Sequence, residues 1–336
     1  MANARIDWVD RMKGILIVLV VLGHAVGHAE HFVTGLEREI LHFAFKLIYM
    51  FHMPAFFLLM GLVFHDLPWR EMLRRKWRRL LVPYFAFGVC SIVVFLALIG
   101  NFSSTGSTDA YYRHDYTAIP AWHLWGSLVY GAPLPGTDGF RCNNVLWFLP
   151  CLFVCNLALW GLVKVGREWL MFVVAVGCVP FYVLMNRMSC PSLPYGLSRL
   201  PELLPFSMIG FLIIRKLKFE SRRWFVLPFV YLALCLFVPY DWQMFRLYGV
   251  RAEVFALGVL GTLSCCVVAR GMKIGFLAKL GQASIGIMMM HKWVMLGLGW
   301  VGCHSALILT VVSVTVSYFA TLMLRRYLPT VLGEGA

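Results

Sequence analysis

The stretch from Arg5 to His24 closes on Lys13-Gly14-Ile15-Leu16-Ile17-Val18-Leu19-Val20-Val21-Leu22-Gly23-His24, and its reading decides the fold. Ten apolar or small residues separate a lysine from a histidine inside what reads as a first membrane helix. At 1.5 Å per residue, the eleven steps rise roughly 16 Å, about half a hydrocarbon core. With Lys13 at one face of the bilayer, His24 lies near its middle. An ionisable group at that depth is a functional candidate. The bland alternative is a neutral imidazole hydrogen-bonded to a neighbouring helix, and the stretch alone leaves both open.

The rest of the chain agrees with a membrane setting. Its 336 residues are 60% hydrophobic and 14% charged, with a mean hydropathy of +0.76, a composition of integral membrane proteins. Apolar segments recur at about 14–31, 41–64, 80–100, 144–163, 168–186, 200–214, 224–240, 253–269, 282–301 and 303–324. These predict an all-α, polytopic membrane helical bundle of about ten transmembrane helices, in a single domain over 1–336. Arg5, Arg11 and Lys13 before an apolar run resemble a signal peptide. Without a small-x-small cleavage site, they read as a retained signal anchor.

The net charge of +14 does not indicate nucleic acid, because the basic residues are confined to short loops between apolar runs. One set of alternate loops holds most of the 30 Lys and Arg. The other holds only Arg38, Arg113, Arg141, Arg187, Arg199, Arg246 and Arg251, while Lys46 and Lys292 fall within spans. That asymmetry predicts cytoplasmic termini in a multi-pass protein of the inner (plasma) membrane.

Ten cysteines form no metal-ligand pattern. Cys142, Cys190 and Cys303 fall near the outer face, which leaves a disulfide between two of them open. The long outer loop 101–143 carries Tyr111, Tyr112, His114, Tyr116, Trp122, His123 and Trp125. It reads as a partly helical lid at the interface.

Three histidines fall at similar depth: His24, His52 in Phe51-His52-Met53-Pro54, and His291 in Met290-His291-Lys292. Pro54 weakens the helix beside His52. Convergence of His24 with His291 would give a general base and a partner, or a proton relay; three separately satisfied histidines would give neither. His24, His28 and His31 also invite a metal reading. No carboxylate accompanies them as in the zinc-binding HExxH pattern and Glu30 points elsewhere on the wheel, so no metal is expected.

On the inner side, Arg74-Arg75-Lys76-Trp77-Arg78-Arg79 exceeds what orientation requires. Arg75 and Arg79 at i, i+4 can fork onto one polyphosphate. A lipid-facing basic anchor is the alternative. Without a glycine-rich phosphate loop, a nucleotide would be held by side chains, and coenzyme A suits such a grip. Carboxylates are scarce within the spans. Asp10 can pair with Arg11 or Lys13 and orient the first helix, and Glu202 opens the sixth span.

At this point the residues resemble the acyltransferase 3 family of integral-membrane O-acyltransferases, in its fucose 4-O-acetylase-like branch. Lys13 and His24 match the family's basic residue, ten residues, then histidine. Arg75 and Arg79, or Arg74 and Arg78 in the other register, match its RxxxR pair. Phe51 to Phe57 with Gly61, Leu146-Trp147-Phe148-Leu149-Pro150, and Gly281-Gln282-Ala283-Ser284 through His291 resemble further family segments. Lysine stands where many relatives have arginine, which loses a fork but keeps the charge.

The resemblance implies acetyl-CoA as acyl donor and a hydroxyl of a cell-envelope sugar or glycolipid as acceptor. It implies His24 as base or acyl relay, with Lys13, Asp10 and His291 as its catalytic companions. Arg11, Arg74, Arg75, Arg78 and Arg79 would hold the donor, and His52, Trp147 and Glu202 the acceptor. A transporter or flippase using the histidines as a proton pathway is the competing reading, although no repeat halves are visible. A structural subunit of a glycan-export complex would leave both histidines dispensable.

Overall fold

The computed structural model describes residues 7–102, 121–131, 143–188, 190, 193–217, 221–238 and 252–335. Among them the chain is helical throughout, with no strand. Eight helical stretches are long and apolar enough to cross a membrane. The loop residues Tyr111, Tyr112, His114 and Tyr116, and Cys142, lie outside the described residues. Cys190 and Cys303 are free thiols.

The first half runs α1 (Asp7–Ala29), α2 (Gly35–Tyr49), α3 (His52–Leu62), α4 (Trp69–Lys76), α5 (Val82–Phe102) and α6 (Ala121–Tyr130). The second runs α7 (Phe148–Val165), α8 (Glu168–Arg187), α9 (Leu200–Leu212), α10 (Leu227–Phe237), α11 (Ala252–Gly271), α12 (Gly275–Gln282), α13 (Ser284–Trp300) and α14 (Ala306–Tyr327). The ten expected spans are all recognisable. Two of them, α10 with 11 residues and α13 with 17, are shorter than a full crossing.

One span is broken. The second divides into α2 and α3 at Met50–Phe51, where Phe51 leaves helical geometry (φ −139°, ψ −20°). The cause is Pro54, which has no N–H for the carbonyl four residues before it. A further break, at Ala283, stands at the start of the ninth and separates α12 from α13. Both breaks fall beside a histidine-bearing segment.

The outer surface is apolar. Phe172, Val176, Phe181 and Leu184 on α8, and Leu307, Val311 and Phe319 on α14, are exposed. In water such a face would be a liability, whereas in lipid it is the solvent-facing side. Two buried threonine hydroxyls are satisfied within their own helices: Thr262 donates to the Gly258 carbonyl (2.7 Å) and Thr321 to that of Ser317 (2.6 Å).

α1 lies at the centre and packs most extensively on α12. The approach is set by two glycines facing opposite backbones. A Cβ on Gly14 would overlap the Leu277 carbonyl, and one on Gly281 would overlap that of Asp10. Small residues permit this in a bundle where lipid gives no hydrophobic drive to association. The α3–α9 seam repeats the device with Gly61 and Gly210.

Candidate functional site

Four elements bring the imidazoles together. α1 carries His24, α2 ends on Tyr49, α3 starts with His52, and α13 carries His291. The rings of His24 and His291 are 5.3 Å apart, tilted by 33°. Tyr49 links the remaining pair, with its hydroxyl 3.4 Å from His24 Nδ1 and its ring 4.7 Å from that of His52. Lys292 lies within electrostatic reach of His24 and His291. The helix break at Met50–Phe51 is what lets Tyr49 and His52 both face α1.

The three histidines differ in what their protons can do. His52 Nδ1 lies 2.8 Å from the Ile48 carbonyl, and His291 Nδ1 lies 3.1 Å from that of Ile287. A carbonyl only accepts, so each Nδ1 carries a hydrogen and each tautomer is fixed. His291 is fully buried, and its Nε2 has no hydrogen-bond partner among the described residues. His24 faces a tyrosine hydroxyl, which can donate or accept. It is also only partly buried. Of the three, His24 alone is partly exposed and faces a partner that can both donate and accept.

Removing the Tyr49 hydroxyl removes that partner while the ring packing stays. Tyr49→Phe is expected to lower turnover about two- to tenfold, the scale of one neutral hydrogen bond, at unchanged donor KM in a steady-state assay.

Below His24 on α1, Lys13 Nζ sits 3.4 Å from Asp10 Oδ1, with Lys13 still 36% exposed and Asp10 nearly buried. Asp10 Oδ2 accepts from Gln282 Nε2 at 3.5 Å. Arg11 turns away, donating from Nε to the Ala269 carbonyl at 2.9 Å. There it caps the C-terminal end of α11, where cations are favoured.

On the neighbouring segment, Arg74, Arg75 and Arg79 are exposed and Arg78 half-buried. Arg75 Nη2 is 2.5 Å from Glu71 Oε1. Arg79 lies within a π-helical turn over Trp77–Leu81. Lys76 lies near enough to Arg79 and Lys13 for their charges to interact, so the cations of α1 and of the arginine run form one basic floor.

A strap underlies that floor. Arg325, at the end of α14, forks onto Glu334 (Nε–Oε2 2.8 Å, Nη2–Oε1 2.7 Å) and donates to the Gln282 carbonyl at 2.5 Å. Next to Glu334, Gly333 (φ +68°) lies so close to Arg78 that a Cβ would strike its carbonyl. Lys13, Asp10, Gln282, Arg325 and Glu334 thus form one polar chain from α1 to the arginine run.

Trp147 and Glu202 meet at Arg199, near the starts of α7 and α9. The guanidinium lies 4.0 Å over the Trp147 ring, and Nε is 3.2 Å from Glu202 Oε2. The sequence reading missed Tyr49, Lys76 and Gln282 as site residues. Gln282 had a signal, since it belongs to a segment already quoted. Tyr49 had none, because its partner is 25 residues away.

A polytopic bundle with clustered imidazoles inside and a basic floor below belongs to the class of integral-membrane proteins with an interior polar site. The profile of the acyltransferase 3 family, described as an acyltransferase domain, matches residues 6–324. The chain belongs to that family and is a multi-pass membrane acyltransferase. No curated protein and no solved structure matches it.

Proposed function

We propose that the protein moves an acetyl group from acetyl-CoA to a hydroxyl of a cell-envelope sugar, in the inner (plasma) membrane with both termini cytoplasmic. The observation that carries this reading is His24, partly accessible and with its tautomer unfixed, on the helix whose inner end joins the basic floor. Phosphates of the donor lie on Lys13, Lys76, Arg78 and Arg79, with Arg74 at the rim. The pantetheine arm rises along α1 toward His24, roughly 16 Å above Lys13.

His24 takes the proton of the acceptor hydroxyl as that oxygen attacks the thioester carbonyl. The tetrahedral intermediate collapses by breaking the C–S bond, and the imidazolium returns the proton to the departing CoA thiolate. Lys292 supplies positive charge beside the imidazoles, of the sign that the tetrahedral oxyanion requires. An acetyl-imidazole relay on His24 uses the same groups in two steps. The likeness of the Phe51–Phe57 and Leu146–Pro150 segments to the fucose 4-O-acetylase-like branch supports a sugar acceptor.

Mass spectrometry of envelope glycans from strains with and without the protein tests the reading. The expected result is loss of one acetyl mass from a defined glycan; identical glycans would overturn it. Within the floor, Arg79→Ala is expected to raise the acetyl-CoA KM about tenfold with kcat nearly unchanged. A tenfold change corresponds to about 1.4 kcal/mol, of the order of one charged hydrogen bond.

A further inference from the structure

The outer end of α1 carries a polar cavity that the transfer step does not use. Beyond Ala29 the chain makes a 3-10 turn, Glu30–Phe32, which swings Glu30 toward α2. Glu30 is 2% exposed. Its Oε1 lies 2.8 Å from His42 Nδ1 and 3.9 Å from Arg38 Nε. Its Oε2 is buried and has no hydrogen-bond partner among the described residues. Glu30, Arg38, Glu39 and His42 line a cavity of about 180 Å³, room for about six waters.

A buried carboxylate oxygen without a donor is costly, and such groups in native structures call for an explanation. We propose that Glu30 and His42 form an acceptor subsite that grips the hydroxyls of a sugar ring. The walls select for that chemistry. An ammonium ligand meets Arg38, and a phosphate meets two carboxylates. A hydroxyl can donate to Glu30 and accept from Arg38 at once. A metal does not fit, because among the described residues no three His, Cys, Asp or Glu are placed to hold one.

The placement suits an acceptor. The α1–α2 pair carries two rungs: His24 with Tyr49 inside, and Glu30 with His42 at the mouth. From His24, five residues of α1 and one 3-10 step lead to Glu30, a rise of roughly 9 Å along the backbone. That spacing suits an acceptor glycan of more than one sugar. One ring is held at Glu30 while a neighbouring hydroxyl reaches His24. This inference rests on the sugar-acceptor reading above.

The test uses the full chain in lipid nanodiscs and the pool of oligosaccharides released from the envelope of a strain lacking the protein. Glu30→Gln, which keeps the shape, is expected to weaken oligosaccharide retention at least tenfold. It should leave acetyl-CoA affinity unchanged, and that unchanged affinity also reports an intact fold. His24→Ala is expected to keep both affinities. In the wild type, the oligosaccharides should protect Glu30 from a hydrophobic carbodiimide, a readout that needs no variant.

Unaltered retention by Glu30→Gln, equal loss of acetyl-CoA binding, no retention by the wild type, or no protection would each overturn the subsite. The two readings fail separately. Glu30-dependent retention without acetyl transfer sinks the transfer chemistry alone. Transfer indifferent to Glu30→Gln sinks the subsite alone.

Discussion

His24→Ala is expected to abolish measurable acyl transfer, a loss of about 10³-fold, within the range that a positioned general base contributes. The donor should still bind, because the basic floor lies roughly 16 Å away along α1. The physical argument is the contrast among three imidazoles. His52 and His291 hold their protons on backbone carbonyls, so a proton gained at Nε2 cannot be handed on through Nδ1. His24 faces a hydroxyl that both donates and accepts. The measurement is transfer of labelled acetyl from acetyl-CoA, alongside equilibrium binding of acetyl-CoA. A His24→Ala protein retaining more than a tenth of wild-type turnover would remove the imidazole from the chemistry.

Gly281→Val is expected to have the largest effect on folding. Any Cβ there would overlap the Asp10 carbonyl and press toward the Gly14 backbone. Backbone cannot move aside as a side chain does. Overpacking of this kind costs on the order of 1–3 kcal/mol or more, and the α1–α12 seam also holds the Asp10–Gln282 contact. The expected readout is loss of the monodisperse peak in detergent and a lowered Tm. Gly161→Ala is the control. Nothing lies within 4 Å of its Cβ position, and alanine is favoured over glycine inside a helix by about 0.5–1 kcal/mol. That variant should be neutral or slightly more stable. Equal behaviour of the two would mean that the seam is not held by close backbone approach.

Much of the bundle could be read from residues alone, because membrane helices announce themselves as apolar runs. Lys13 and His24 were legible for the same reason: ionisable groups stand out against such a background. The convergence of His24 with His291 was a reasonable expectation from depth, and the structure places their rings side by side.

Three features escaped for identifiable reasons. Tyr49 looks like any interfacial tyrosine until the break caused by Pro54 turns it inward. A regular helix continued to residue 31 puts Glu30 off the histidine face, whereas α1 ends at Ala29 and the chain tightens into a 3-10 turn. The pairing of Arg75 with Glu71 and the π-helical turn that holds Arg79 carry no mark in the sequence. In each case a local change of helical pitch, invisible to a fixed periodicity, decided where a side chain went.

The wide turn at Trp77–Leu81 acts like one surplus residue wound into an otherwise regular rod. Excising a single position there would let the rod close up with little local damage. Because the surplus residue is absorbed within the wide turn, α4 would keep nearly its present rotation relative to α5, with Arg74 and Arg75 on the side they now occupy. Loss of one residue at this point is therefore the length change that the inner face could absorb with its cations still in place.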